Sequence, residues 1–260
     1  MMKPTDLSVF RDEIFAKHQK SDIDLQNDLT ILKEWMKKQP HLPMDKLEDG
    51  FLEVQLLKNK FSIEKTKSKI ENYCTVKANK NYRYFYEDYP TSPSKETAYY
   101  VPIPKLTDNY ERILLGKIDD PEQWDVEREC SNVLILREFL MRFDYNEGEI
   151  FIMDYSTCST AKILSMLRAN ILADTFNVIF IFVYEDVEKF KEKFPSRYLP
   201  KEYGGELESL DEIKADLDKL YSENRDELNE YVNTKSREDL RLENSKEQEM
   251  QGTFRNLKID

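Results

Sequence analysis

The run FPSRYLPKEYGG at residues 194–205 places two prolines and a Gly-Gly pair between an apolar stretch and an acidic one. Pro200 fixes its own φ and pushes Leu199 toward extended backbone, while Gly204 and Gly205 admit angles that a side chain forbids. The run therefore predicts a shaped corner rather than a loose loop. Only 6 glycines occur in 260 residues, so two adjacent ones mark a point where the backbone itself is constrained.

Composition bounds what surrounds this corner. A 40% hydrophobic content with 14 Phe and 15 Tyr is enough for a sizeable core. The formal net charge of -12 disfavours nucleic-acid backbones and anionic membranes as partners. Cys74, Cys130 and Cys158 are widely spaced and odd in number, which predicts free thiols rather than a disulfide framework. Residues 1–22 lack the apolar core of a signal peptide, and no run is long enough to span a bilayer. These features predict a soluble, cytoplasmic protein.

Three amphipathic helices are legible near the N-terminus. Leu25, Leu29, Leu32 and Trp35 or Met36 recur at helical spacing after the capping candidates Asp22 and Asp24. Phe51, Leu52, Leu56 and Leu57 mark a second helix over 49–58, and Ile63, Thr66, Ile70 and Tyr73 mark a third beginning at Ser62. Residues 88–104 carry Pro90, Pro93, Pro102 and Pro104 and read as an ordered linker. Beyond it, a strand over 110–118, a helix over 125–141 and a doubly apolar parallel strand over 149–155 are expected. A helix capped by Ser159 or Thr160 and a second apolar strand over 178–184 follow, as a right-handed strand-helix-strand unit. Residues 209–231 read as a helix, and the charged stretch 232–260 as a solvated tail.

Two of these stretches are similar to a known family. Residues 194–205 with the following Glu206-Leu-Glu-Ser-Leu-Asp-Glu-Ile213 resemble the end of the CRAL-TRIO lipid-binding domain, in its alpha-tocopherol-transfer-protein-like branch. Residues 56–73 resemble that family's N-terminal helical segment. The implied fold is α/β: an N-terminal three-helix bundle (1–95), a CRAL-TRIO domain with a mostly parallel sheet and a gate helix (96–231), and the tail (232–260). That family places a further helix and strand between the two apolar strands, whereas only residues 156–177 separate them here, so the resemblance implies a sheet one strand short.

The resemblance implies a non-enzymatic carrier that moves a small hydrophobic ligand, tocopherol-like, retinoid or phospholipid, between membranes, touching their surfaces transiently. Burial of a lipid tail at about 0.8 kcal/mol per methylene would hold such a cargo. Strand periodicity and the family layout together nominate Ile150, Ile152 and Tyr155 on one strand and Ile179, Ile181 and Val183 on the next. Leu164, Leu167 and Ile171 complete the wall from the gate helix, residues 159–173. A phosphoinositide headgroup site is not supported, because the end of that helix carries Ala173-Asp-Thr-Phe instead of basic residues. The alternative is a shortened, ligand-free relative acting as a protein-interaction module or an inactive isoform.

Catalytic chemistry is not called for. Neither GxGxxG nor GxxxxGK occurs, and His18 and His41 stand apart from the cysteines, so no nucleotide cofactor, zinc cage or Cys-His pair is expected. Asp154 ends an apolar strand, where a hydrogen-bonded turn acceptor explains it more simply than a catalytic acid. The interleaved Lys and Tyr of residues 77–89 read as aromatic packing, not as an RNA surface.

Overall fold

The computed structural model describes residues 10–78, 98–124, 126–161, 163, 187–232 and 234–241. In chain order the elements are α1 (Arg11–Lys17), α2 (Asp22–Met36), α3 (Asp49–Lys58), α4 (Ile63–Ala78), β1 (Ala98–Pro102), β2 (Glu111–Ile118), α5 (Val126–Phe143), β3 (Gly148–Asp154), α6 (Val187–Lys193), α7 (Leu210–Glu223) and α8 (Arg225–Val232). Contacts group them into two units: Met1–Ile14 with Tyr89–Leu228, and Phe15–Asp88 with Asn229–Asp260.

The second unit is helical. Ser21, not Asp22, caps α2: its hydroxyl accepts from the Asp24 amide, and the Asp24 carboxylate accepts from the Ser21 amide in return. Leu25, Leu29, Leu32 and Met36 then form the buried stripe of α2. Phe51, Leu52, Val54, Leu56 and Leu57 of α3 and Thr66, Ile70 and Cys74 of α4 are buried likewise, and each of the three helices contacts the other two. Each large aliphatic side chain buried in this way contributes about 1.5–3 kcal/mol. Between α3 and α4, Lys60 and Phe61 take left-handed backbone with φ of 53° and 56°. That geometry costs about 1–2 kcal/mol per residue. Burial of Phe61 edge-on against Phe15, with ring centroids 5.1 Å apart, offsets the cost.

The first unit is α/β, with a mixed sheet in the order β1-β2-β3 among the described residues. β1 runs antiparallel to β2, pairing Ala98 with Ile118 and Pro102 with Leu114. β2 runs parallel to β3, pairing Glu111 with Gly148 and Lys117 with Asp154, and α5 makes the crossover that parallel pairing demands. Val133, Leu136, Phe139 and Leu140 of α5 are buried, as are Leu210, Ile213, Leu217, Leu220 and Tyr221 of α7. Phe139 and Tyr221 meet edge to face at 5.7 Å.

One buried ion pair ties this sheet to its crossover. The Arg112 guanidinium, 0% exposed, forks onto Asp144 at 3.0 and 2.8 Å and donates to the carbonyls of Ile103 and Pro104 at 2.6 and 2.8 Å. Asn146 donates to the same carboxylate at 2.7 Å. Such a pair is tolerated in the interior because its charge and its donors are met.

The Pro/Gly corner folds as its residues require. Leu199 is extended (φ -110°, ψ 143°), and Gly204 takes the left-handed region at φ 71°. The amides of Gly205 and Leu207 return to the carbonyls of Pro200 and Leu199 at 3.0 and 3.1 Å. Ser209 and Glu212 then cap α7 as a reciprocal pair.

Several expectations need correction. The proline-rich linker of 88–104 contains β1, because Tyr100 and Val101 bury while Pro102 sits at the strand's end, where a missing N–H is tolerated. The mostly parallel sheet is, among the described residues, a mixed one. The strand buried on both faces is β2, whereas every residue of β3 is half-buried. The helix over 209–231 is interrupted at Asn224, whose side chain caps Leu220 at 2.8 Å. Within the stretch read as a solvated tail, Thr234, Ser236 and Arg241 are buried, and Ser236 and Arg241 satisfy polar groups of the helical unit. The gate helix beyond its first turn and the strand over 178–184 lie outside the described residues.

Candidate protein-interaction face on the helical unit

Among the described residues, the large apolar side chains left exposed are Ile23, Ile31, Met44, Val76 and Leu240, all in the helical unit. Ile23 and Ile31, 74% and 47% exposed, lie on the side of α2 opposite its buried stripe. With Asn27 between them and the half-buried Trp35 beyond, they follow one four-residue row of the helix surface. Such a row forms a ridge on the helix surface. Met44 stands in the connection from α2 to α3, on the short turn Met44–Lys46.

This unit also holds buried polar side chains, His41, Lys77 and Arg241 among them. Glu71 on α4 accepts from His41 at 2.7 Å, and the same oxygen accepts from Arg241. Lys77, 1% exposed, donates to the Tyr231 carbonyl at 2.5 Å and to the Tyr73 hydroxyl at 3.0 Å. Sequence periodicity could not find these residues, because a buried Lys or Arg interrupts an apolar stripe.

In the α/β unit, Ile150 and Ile152 share one face of β3, and Tyr155 lies beyond the strand's end; all three are half-buried. Burial pushes the Tyr155 phenol up from its ordinary value. Leu164, Leu167, Ile171, Ile179, Ile181 and Val183 lie outside the described residues.

Asp154 is engaged in its turn. Its carboxylate accepts from the Ser156 amide at 2.9 Å and from the Tyr203 hydroxyl at 2.8 Å. Burial alone would raise this carboxyl, but those hydrogen bonds outweigh it and hold the group below its ordinary value. Burial, together with the bond to Asp154, pushes the Tyr203 phenol up in turn. A carboxylate held this way organises the β3 exit.

Among the described residues there is no group of three or more His, Cys, Asp or Glu side chains arranged to hold a metal. Nor is any described helix long and apolar enough to cross a membrane.

A family model described as Pinta-like, UBA domain matches residues 21–94. No curated protein matches the chain. The matched segment holds α2, α3 and α4. This finding overturns the CRAL-TRIO resemblance and its alpha-tocopherol-transfer-protein-like assignment. With it go the lipid or small hydrophobic ligand, the transient membrane contact and the lipid-transfer role. The physical reason is visible in the two stretches that carried the resemblance. Residues 56–73 comprise the buried Leu56 and Leu57, a tight turn and the stripe of α4, which a three-helix bundle requires for its own packing. Residues 194–205 are shaped by the close approach of Gly205 to the Leu199 backbone, a local demand that names no ligand.

Proposed function

We propose that this chain is a non-enzymatic protein-interaction module whose helical unit binds ubiquitin or ubiquitin-bearing proteins. The observation that carries the reading is the coincidence of the UBA-type match over 21–94 with a bundle that leaves Ile23 and Ile31 exposed on one helix ridge. The physical argument is one of area. A ridge of two isoleucines and part of a tryptophan supplies a few kcal/mol on burial, at about 1.5–3 kcal/mol per fully buried aliphatic side chain. After the cost of association, that supports a weak complex of micromolar to millimolar Kd, as befits a transient contact. Recognition of this kind needs no bond-making step.

Titration of the isotope-labelled full chain with unlabelled ubiquitin, followed by amide shifts, tests the reading. Saturable shifts gathered along the exposed row of α2 and around Met44 are expected. Absence of any shift at millimolar ubiquitin, or shifts confined to the α/β unit, sinks it.

A further inference from the structure

We propose that residues 234–241 are a detachable latch of the helical unit, with Arg241 as the key, closing a groove that accepts an extended, arginine-bearing peptide. The groove lies between the carboxyl half of α4 and the backbone at His41. The Ser236 amide donates to the Cys74 carbonyl at 3.0 Å, and the Arg237 amide donates to the His41 carbonyl at 2.8 Å. The Ser236 hydroxyl reaches the same Cys74 carbonyl at 3.2 Å. Two consecutive backbone donors thus dock onto acceptors from separate parts of the unit, as an extended bound peptide would.

Arg241 completes the seat. Its side chain, 1% exposed, donates to Glu71, to the Thr75 hydroxyl at 2.6 Å and to both Glu238 oxygens at 2.7 and 2.9 Å. Its planar fork serves several acceptors at once, which the compact ammonium of a lysine cannot reproduce.

The segment is built to come away. Its sequence Thr-Lys-Ser-Arg-Glu-Asp-Leu-Arg holds one large apolar residue, Leu240, and that side chain is 39% exposed. Hydrophobic burial therefore anchors it weakly, and each neutral hydrogen bond gains little net because water replaces it on release, which leaves the charged bonds of Arg241 as the main anchor. Segments attached through few apolar contacts open below the threshold of global unfolding. On opening, Glu71 keeps its contact with His41 but loses its Arg241 donor, and the Cys74 and His41 carbonyls lose the amide donors of Ser236 and Arg237, donors that another chain could supply.

The test uses the full chain and its Arg241→Ala variant. In hydrogen exchange, the variant's Ser236 and Arg237 amides are expected to exchange about tenfold faster or more, with Leu29 and Leu32 of α2 unchanged. Acceleration of the α2 amides to the same extent would make the segment an inseparable part of the core and overturn the proposal. So would no acceleration at Ser236 and Arg237. A labelled synthetic peptide of residues 231–241 should bind the variant at least about tenfold more tightly than the wild-type chain, whose groove is already filled. The same peptide carrying alanine at its last position should not bind. Equal binding of the two peptides, or failure of the arginine peptide to bind the variant, refutes the groove.

Discussion

Gly205 stands so close to the Leu199 carbonyl that a Cβ at this position would lie 1.7 Å from the oxygen. The atom in the way is backbone, which cannot rotate aside. Gly204, its neighbour, meets nothing closer than 3.9 Å and is constrained instead by its φ of 71°. Two adjacent glycines therefore do different work. Gly205→Ala is expected to cost about 2–3 kcal/mol and lower the melting temperature by about 5 °C or more. Gly204→Ala should cost about 1 kcal/mol. Thermal melts of the two variants rank them, and a reversed order would refute the close-approach account.

Arg112 and Asp144 are both 0% exposed, so removing one strands the other. Arg112→Ala should lose about 3–5 kcal/mol in urea unfolding, whereas the double change Arg112→Met with Asp144→Leu should lose much less. A single variant within 1 kcal/mol of wild type would contradict the assignment of this pair as the staple between β2 and the crossover.

Glu212 carries the clearest pH signature. The Ser209 hydroxyl, the Ser209 amide at 2.8 Å and Lys201 hold its carboxyl at about 2, below the ordinary 4.5. The folded group is the stronger acid, so its stabilisation is fully present above about pH 4.5 and is lost as pH falls toward about 2. Ser209→Ala removes the leading cause. The Glu212 titration followed by NMR should then move up toward 4.5. An unmoved midpoint would assign the depression to another group.

Ile31→Glu places a charge on the exposed row without touching the core. Under the proposed function it should weaken ubiquitin binding about tenfold or more, while stability stays within about 0.5 kcal/mol of wild type. Undiminished binding by this variant would move the interface elsewhere on the unit.

Much of the fold was legible because the signals are local. Leu25, Leu29 and Leu32 announce α2 by spacing alone, and Pro200 with Gly204 announces the corner by backbone restriction. The candidate interface was less so. Periodicity identifies the residues that bury, whereas Ile23 and Ile31 are candidates because they do not, and exposure is settled only when neighbouring elements are in place. β1 escaped notice because four prolines nearby outweighed the short apolar run that pairs with β2.

By itself, then, the chain's order of residues determined where α2, α3 and α4 coil and where the corner turns, since these depend on spacing and on the stereochemistry of single residues. Tertiary structure alone decided that Lys77 and Arg241 are interior residues and that Glu71 serves two donors at once. The reason is distance along the chain. Glu71 and Arg241 meet across 170 residues, and no local pattern encodes a charge whose partner is that remote.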